Sequence, residues 1–244
     1  MNAEWVRPEN PAGTILYLHG GAYALGSIKT HRIMAASLAD TTSMQVLLIE
    51  YGLAPEAPFP TGLEDVVSTY LWLLESGIAP SELLIAGDSA GGGLALAALL
   101  RLRDKSHPLP AGAVLLSPWT DLALSGESAQ SKTHLDFILK REHLAGIAGL
   151  YAGDTDLRDP LLSPIFADLT GLPPLLIQVG TDEILLDDSV RLANLAEEAG
   201  VQVQLEIYEE MFHVFHMFPF FAETRNAFQS ISVFSRKQLL VTQS

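Results

Sequence analysis

Two spacings of apolar residues alternate along this chain. Short runs such as Ile15-Leu16-Tyr17-Leu18 and Leu83-Leu84-Ile85-Ala86 are apolar at every position, the pattern of strands covered on both faces. Between them lie longer stretches whose apolar residues recur at helical spacing. The runs predict strands at 15–18, 45–51, 83–86, 113–116, 175–179 and 203–208, with an edge strand at 3–7 that Pro8 stops. The longer stretches predict helices at 31–39, 63–75, 90–104, 142–151, 187–199 and 223–240. Strand and helix in alternation specify an α/β fold: a mostly parallel central sheet with helices on both faces.

One segment breaks the rhythm. From about 117 to 172 the chain carries Pro118, Gly126, Pro160 and Pro164 around a single helical stretch. It is too long for an ordinary connection and reads as an excursion over one end of the sheet, a reduced cap or lid beside any site there. The 244 residues lie within the reach of one hydrophobic core, so residues 1–244 are expected to form a single domain.

Charge and composition narrow the chemistry. The formal net charge of −15 works against nucleic acid and anionic lipid as partners. No cysteine is present, which removes disulfides, thiolate metal sites and thiol nucleophiles. The start, MNAEWVRPENP, has neither a basic nor an apolar leader segment, and no apolar run reaches membrane-spanning length. A cytoplasmic protein is the default expectation.

Three places along the chain carry candidate chemistry. Gly87-Asp88-Ser89-Ala90-Gly91 follows an apolar strand and opens a helix, the context in which a serine sits on a strained turn as a nucleophile. A phosphate-binding loop would need Gly-Lys-Ser/Thr at its end, whereas Gly93-Leu94-Ala95 follows here. His19-Gly20-Gly21-Ala22 comes straight after the strand at 15–18, where glycines let backbone N–H groups face a developing oxyanion. Gly20 and Gly21 are the expected donors, joined by the N–H of Ala90. His19 has no partner at metal-ligand spacing, and no metal or cofactor is expected.

A serine hydroxyl needs an imidazole to take its proton and a carboxylate to orient that imidazole. Asp182 lies just past the strand at 175–179 and is the first choice for the acid, with Asp187 in reserve; Asp187 and Asp188 suit the first turn of the next helix. After the strand at 203–208, His213 comes earlier in the loop than His216 and is the preferred base. Tyr23, Trp119, Phe137, Ile138, Val214 and Phe215 are candidates to line the substrate pocket, each equally at home in a core.

These blocks, with Tyr51-Gly52-Leu53-Ala54-Pro55-Glu56 and Pro58-Phe59-Pro60, resemble the hormone-sensitive-lipase-like (bacterial family IV) esterases of the α/β-hydrolase fold. The resemblance spans nearly the whole chain in the family's order. It implies a serine carboxylesterase that cleaves short to medium acyl esters, sometimes lactones or amides, through an acyl-enzyme and without a cofactor. It assigns Ser89 as nucleophile, Asp182 as acid, His213 as base and Gly20, Gly21 and Ala90 as oxyanion donors. It also implies a homodimer through the last strand, near Val203–Tyr208.

The chain departs from the family at Ala22, where the third motif glycine stands in relatives, and at Gly52 and Ala57, where they carry Arg and His. The family's N-terminal cap helices have no counterpart before Ala3, so a more open and wetter site is expected. Two other readings exist. A non-catalytic small-molecule receptor on this scaffold is one, although such receptors lack the histidine that His213 supplies. A truncated, poorly assembled hydrolase is the other.

Overall fold

The computed structural model describes residues 2–241. Among these described residues, seven strands form one sheet in the order β1-β3-β2-β4-β5-β6-β7: β1 (Ala3–Val6), β2 (Thr14–Leu18), β3 (Gln45–Ile49), β4 (Leu83–Asp88), β5 (Gly112–Leu116), β6 (Leu175–Gly180) and β7 (Val203–Tyr208). Only β1 runs antiparallel, pairing Ala3 with Ile49 and Val6 with Val46. Every other pair is parallel, so the C-terminal ends of β2, β4, β5, β6 and β7 share one rim.

Each inner strand sends alternate residues to opposite faces, and both faces are covered. Ile15, Tyr17, Val46, Leu48, Leu84, Ala86, Val114 and Leu116 belong to a core beneath α1 (Ile28–Thr42) and α7 (Ala222–Val241). Leu16, Leu18, Leu47, Ile49, Ile85, Leu115 and Ile177 belong to the other, beneath α2 (Thr61–Glu75), α3 (Ala90–Asp104) and α6 (Leu186–Glu198). This double burial is why the strands read as continuous apolar runs. The helix expected at 31–39 begins earlier, at Ile28. Ser27 and Thr30 close a reciprocal capping box there, which satisfies backbone donors of the first turn.

Residues 117–172 hold the four-residue α4 (Ser128–Ser131), α5 (Arg141–Ala152) and a single 3-10 turn at Pro164–Phe166. Leu144, Ala148 and Tyr151 of α5 are buried in the α2–α3 side of the core, and Asp136 accepts from the Ile184 N–H at 2.9 Å. The excursion is thereby anchored to the same rim that carries the strand ends.

Candidate active site

Ser89 stands between β4 and α3 with φ 52° and ψ −121°, backbone angles that a side chain other than glycine's rarely adopts. The flanking glycines permit the crossing. A Cβ at Gly87 would meet the Gly91 carbonyl, and one at Gly91 would meet the Leu18 carbonyl of β2. The Ser89 N–H is held by the Leu116 carbonyl at the end of β5 (2.8 Å), and the hydroxyl is aimed out of the turn at the N-terminus of α3.

His213 meets that hydroxyl: its Nε2 lies 2.9 Å from Ser89 Oγ. On the other side of the ring, Nδ1 lies 2.7 Å from Oε2 of Glu183, not from Asp182. A carboxylate only accepts, so Nδ1 carries the proton and Nε2 is free to receive one from the serine. Glu183 is wholly buried. Its Oε1 accepts from the Gly180 N–H and the Ser117 hydroxyl, both at 2.8 Å. Burial opposes a charge on His213, but the facing Glu183 carboxylate outweighs it and holds the imidazole above its ordinary pKa.

The carboxylate that faces His213 is therefore Glu183, one residue after the expected Asp182. Strand β6 continues to Gly180, one residue past the predicted end, and Thr181 and Asp182 form the tip of the turn. Asp182 is half-buried and its carboxylate accepts from the Thr181 hydroxyl (3.1 Å). Glu183 begins the buried run Glu183-Ile184-Leu185, and the extra methylene of Glu gives it reach. That apolar continuation was the available signal. Asp187, the reserve, caps Ser128 at the start of α4, and His216 is buried against Gln178, where desolvation pushes its pKa down to about 3.

The oxyanion loop also differs from expectation at one position. The Gly20 N–H donates to Asp88 Oδ1 (3.0 Å) and is unavailable to a substrate. The N–H groups of Gly21, Ala22 and Ala90 have no protein acceptor among the described residues. Gly21 (φ 124°) and Ala22 (φ 53°) carry the positive angles that turn successive amides inward, and both line the cavity that contains Ser89. The N–H groups left free are therefore shifted by one residue along the loop, onto the alanine at which the motif departs from the family resemblance. His19 stacks on Tyr51 with ring centroids 4.5 Å apart.

That cavity, of about 540 Å³, is walled by Leu25, Leu139, Leu144, Ile147, Val214 and Phe218, with Lys140 and His143 also on its lining. Of the expected pocket residues, Ile138 and Val214 line it. Tyr23, Trp119 and Phe215 do not. Tyr23 stacks on Tyr151 at 4.0 Å and beside Trp119, and Phe215 packs on Tyr208, all within the core. Phe137 is 68% exposed and contacts Phe212 outside the cavity. Aromatic residues beside a catalytic loop are as useful for holding the loop as for touching substrate, which sequence alone does not distinguish.

Residues 15–217 match a family model described as alpha/beta hydrolase fold. The chain belongs to the α/β-hydrolase family. Within it, an acetyl-hydrolase of Streptomyces hygroscopicus is 49% identical over 236 residues, covering 96% of this chain and 79% of the relative. An esterase of Acinetobacter venetianus is 44% identical, covering 91% of this chain and 74% of the relative. A crystal structure of an esterase from the bacterial hormone-sensitive lipase family superposes with TM-score 0.95 at 46% identity, covering 97% of this chain and 81% of that one. The family resemblance carried by the sequence blocks and the hydrolase sheet order thus agree. Among the described residues, no helix is long and apolar enough to cross a membrane.

Proposed function

We propose that this protein is a carboxylic ester hydrolase whose chemistry is carried by Ser89, His213 and Glu183. The supporting observation is the unbroken chain from Ser89 Oγ through both nitrogens of His213 to the buried Glu183 carboxylate, with contacts of 2.9 and 2.7 Å. In this reading Ser89 Oγ attacks the ester carbonyl as His213 Nε2 takes its proton, and Glu183 stabilises the imidazolium without itself being protonated. The N–H groups of Gly21, Ala22 and Ala90 receive the oxyanion, reinforced by the α3 N-terminus. His213 then protonates the leaving alcohol, and water, activated by the same base, releases the acid from Ser89.

The apolar wall of the cavity favours short to medium acyl chains, and residues 117–172 act as its cap. The outer edge of β7 ends the sheet and is the surface through which two copies would pair. Turnover of p-nitrophenyl butyrate by the native protein, set against Ser89→Ala, tests the assignment. A loss of roughly 10⁴-fold or more with an unchanged thermal melt is expected, and comparable rates for the two proteins would remove it.

A further inference from the structure

Behind the oxyanion loop lies a buried ion pair that the reaction as described leaves unused. Asp88, the residue before the nucleophile, is 2% exposed. Its Oδ1 accepts from the Tyr17 hydroxyl (2.7 Å) and the Gly20 N–H (3.0 Å), and its Oδ2 faces Nε2 of His31 at 3.3 Å. The other His31 nitrogen, Nδ1, lies 2.8 Å from the Thr30 hydroxyl oxygen. The proton of that hydroxyl is already directed at the Ser27 carbonyl (2.8 Å). Nε2 therefore donates to the Asp88 carboxylate, and with the Thr30 proton turned to Ser27 the Thr30 oxygen can also accept from Nδ1. Burial opposes a charge on His31, but the Asp88 carboxylate at 3.3 Å outweighs it and holds the imidazole above its ordinary pKa, which favours the imidazolium.

The position of this pair gives it a task. Asp88 holds the one peptide N–H that precedes the Gly21 and Ala22 donors, and a Cβ at Gly20 would collide with its carboxylate. Asp88 and His31 both border the cavity that contains Ser89. An uncompensated carboxylate there would repel the negative charge that forms on the substrate oxygen, in a site where water screens little. Its charge already reaches across to His213, where it favours the imidazolium.

We propose that His31 is a positioning residue of the hydrolysis: it neutralises Asp88 while holding that carboxylate on the Gly20 N–H, and so sets the placement and strength of the adjacent oxyanion donors. The inference rests on Ser89 being the nucleophile. Because the effect falls on the transition state, it changes kcat and leaves KM nearly untouched.

The test compares native protein, S89A, H31Q, D88N and the double variant H31Q/D88N on p-nitrophenyl butyrate, each assayed well below its own melting temperature. H31Q retains a donor toward Asp88 but no charge, and its kcat is expected to fall roughly 10- to 100-fold with KM within about twofold. The double variant removes both charges while an amide oxygen still accepts from Gly20, and it is expected to recover at least about tenfold over H31Q. A purely structural His31 would make the two substitutions cumulative. Native kcat in H31Q, or a double variant no better than H31Q, overturns the proposal even if H31Q is poorly folded, since the recovery is read in a different protein. If S89A is as active as native, the nucleophile assignment fails first; if S89A is inactive while H31Q is normal, only the role of His31 falls.

Discussion

Neighbouring carboxylates, Asp182 and Glu183, compete for one role, and isosteric amides separate them. Glu183→Gln keeps the shape of the side chain, and its amide can still bond Ser117 or Gly180, but it no longer presents an anion to His213 Nδ1 at 2.7 Å. In serine hydrolases the equivalent change costs about 10⁴ in kcat, which is about 5 kcal/mol at roughly 1.4 kcal/mol per decade. Asp182→Asn alters a half-buried group whose bond runs to Thr181, and its rate is expected within about threefold of native. The pH profile adds a second measure. With Glu183 in place, His213 titrates above 6.5, so kcat/KM falls as the solution is acidified through that raised value. Without the carboxylate, burial dominates and the acidic limb moves to lower pH. Stopped assays with p-nitrophenyl butyrate from pH 5 to 9, alongside thermal melts, read both effects. An Asp182→Asn enzyme as impaired as Glu183→Gln, or a Glu183→Gln enzyme above a tenth of native rate, would refute this assignment of the acid.

Two further outcomes follow from burial. Ile138→Ala, at the cavity wall, should raise KM several-fold for longer acyl chains with little change in melting temperature, whereas Phe215→Ala should cost about 3–5 kcal/mol in urea unfolding; the reverse pattern would mean that the wall and core have been confused. His216, driven down to about 3 by burial, stays neutral in the folded protein while the unfolded chain takes up a proton below about 6.5, so stability present above that pH drains by up to about 1.4 kcal/mol per unit on acidification. His216→Asn should lose that component of the slope between pH 7.5 and 5.0, and equal losses in both proteins would count against it.

The sheet was legible because its strands are buried on both faces: Leu83 through Ala86 have no polar position to disguise them. Ser89 was legible because glycines are required on both sides of the crossing that exposes it. The carboxylate that meets His213 was not, since adjacent Asp and Glu in a tight turn are separated by which one the turn directs inward, and that depends on a strand ending at Gly180 and on the Ser117 hydroxyl just past the end of β5. The bond that occupies the Gly20 amide is hidden for a similar reason. Its acceptor is Asp88, 68 positions away, and no local pattern announces such a partner. The pocket wall is drawn from the loop after β2, the residues leading into and along α5, and the loop after β7, whose apolar residues have the same composition as core.

Ser117 gives the base and acid loops a common anchor. Its hydroxyl donates to Glu183 and accepts from the Val214 N–H at 3.2 Å, so the residue just past β5 spans the connections that follow β6 and β7. Transplanting those two connections into another scaffold would move the histidine and its carboxylate but leave their clasp behind. An engineer borrowing this machinery has to carry the end of β5 as well, or accept an imidazole free to swivel.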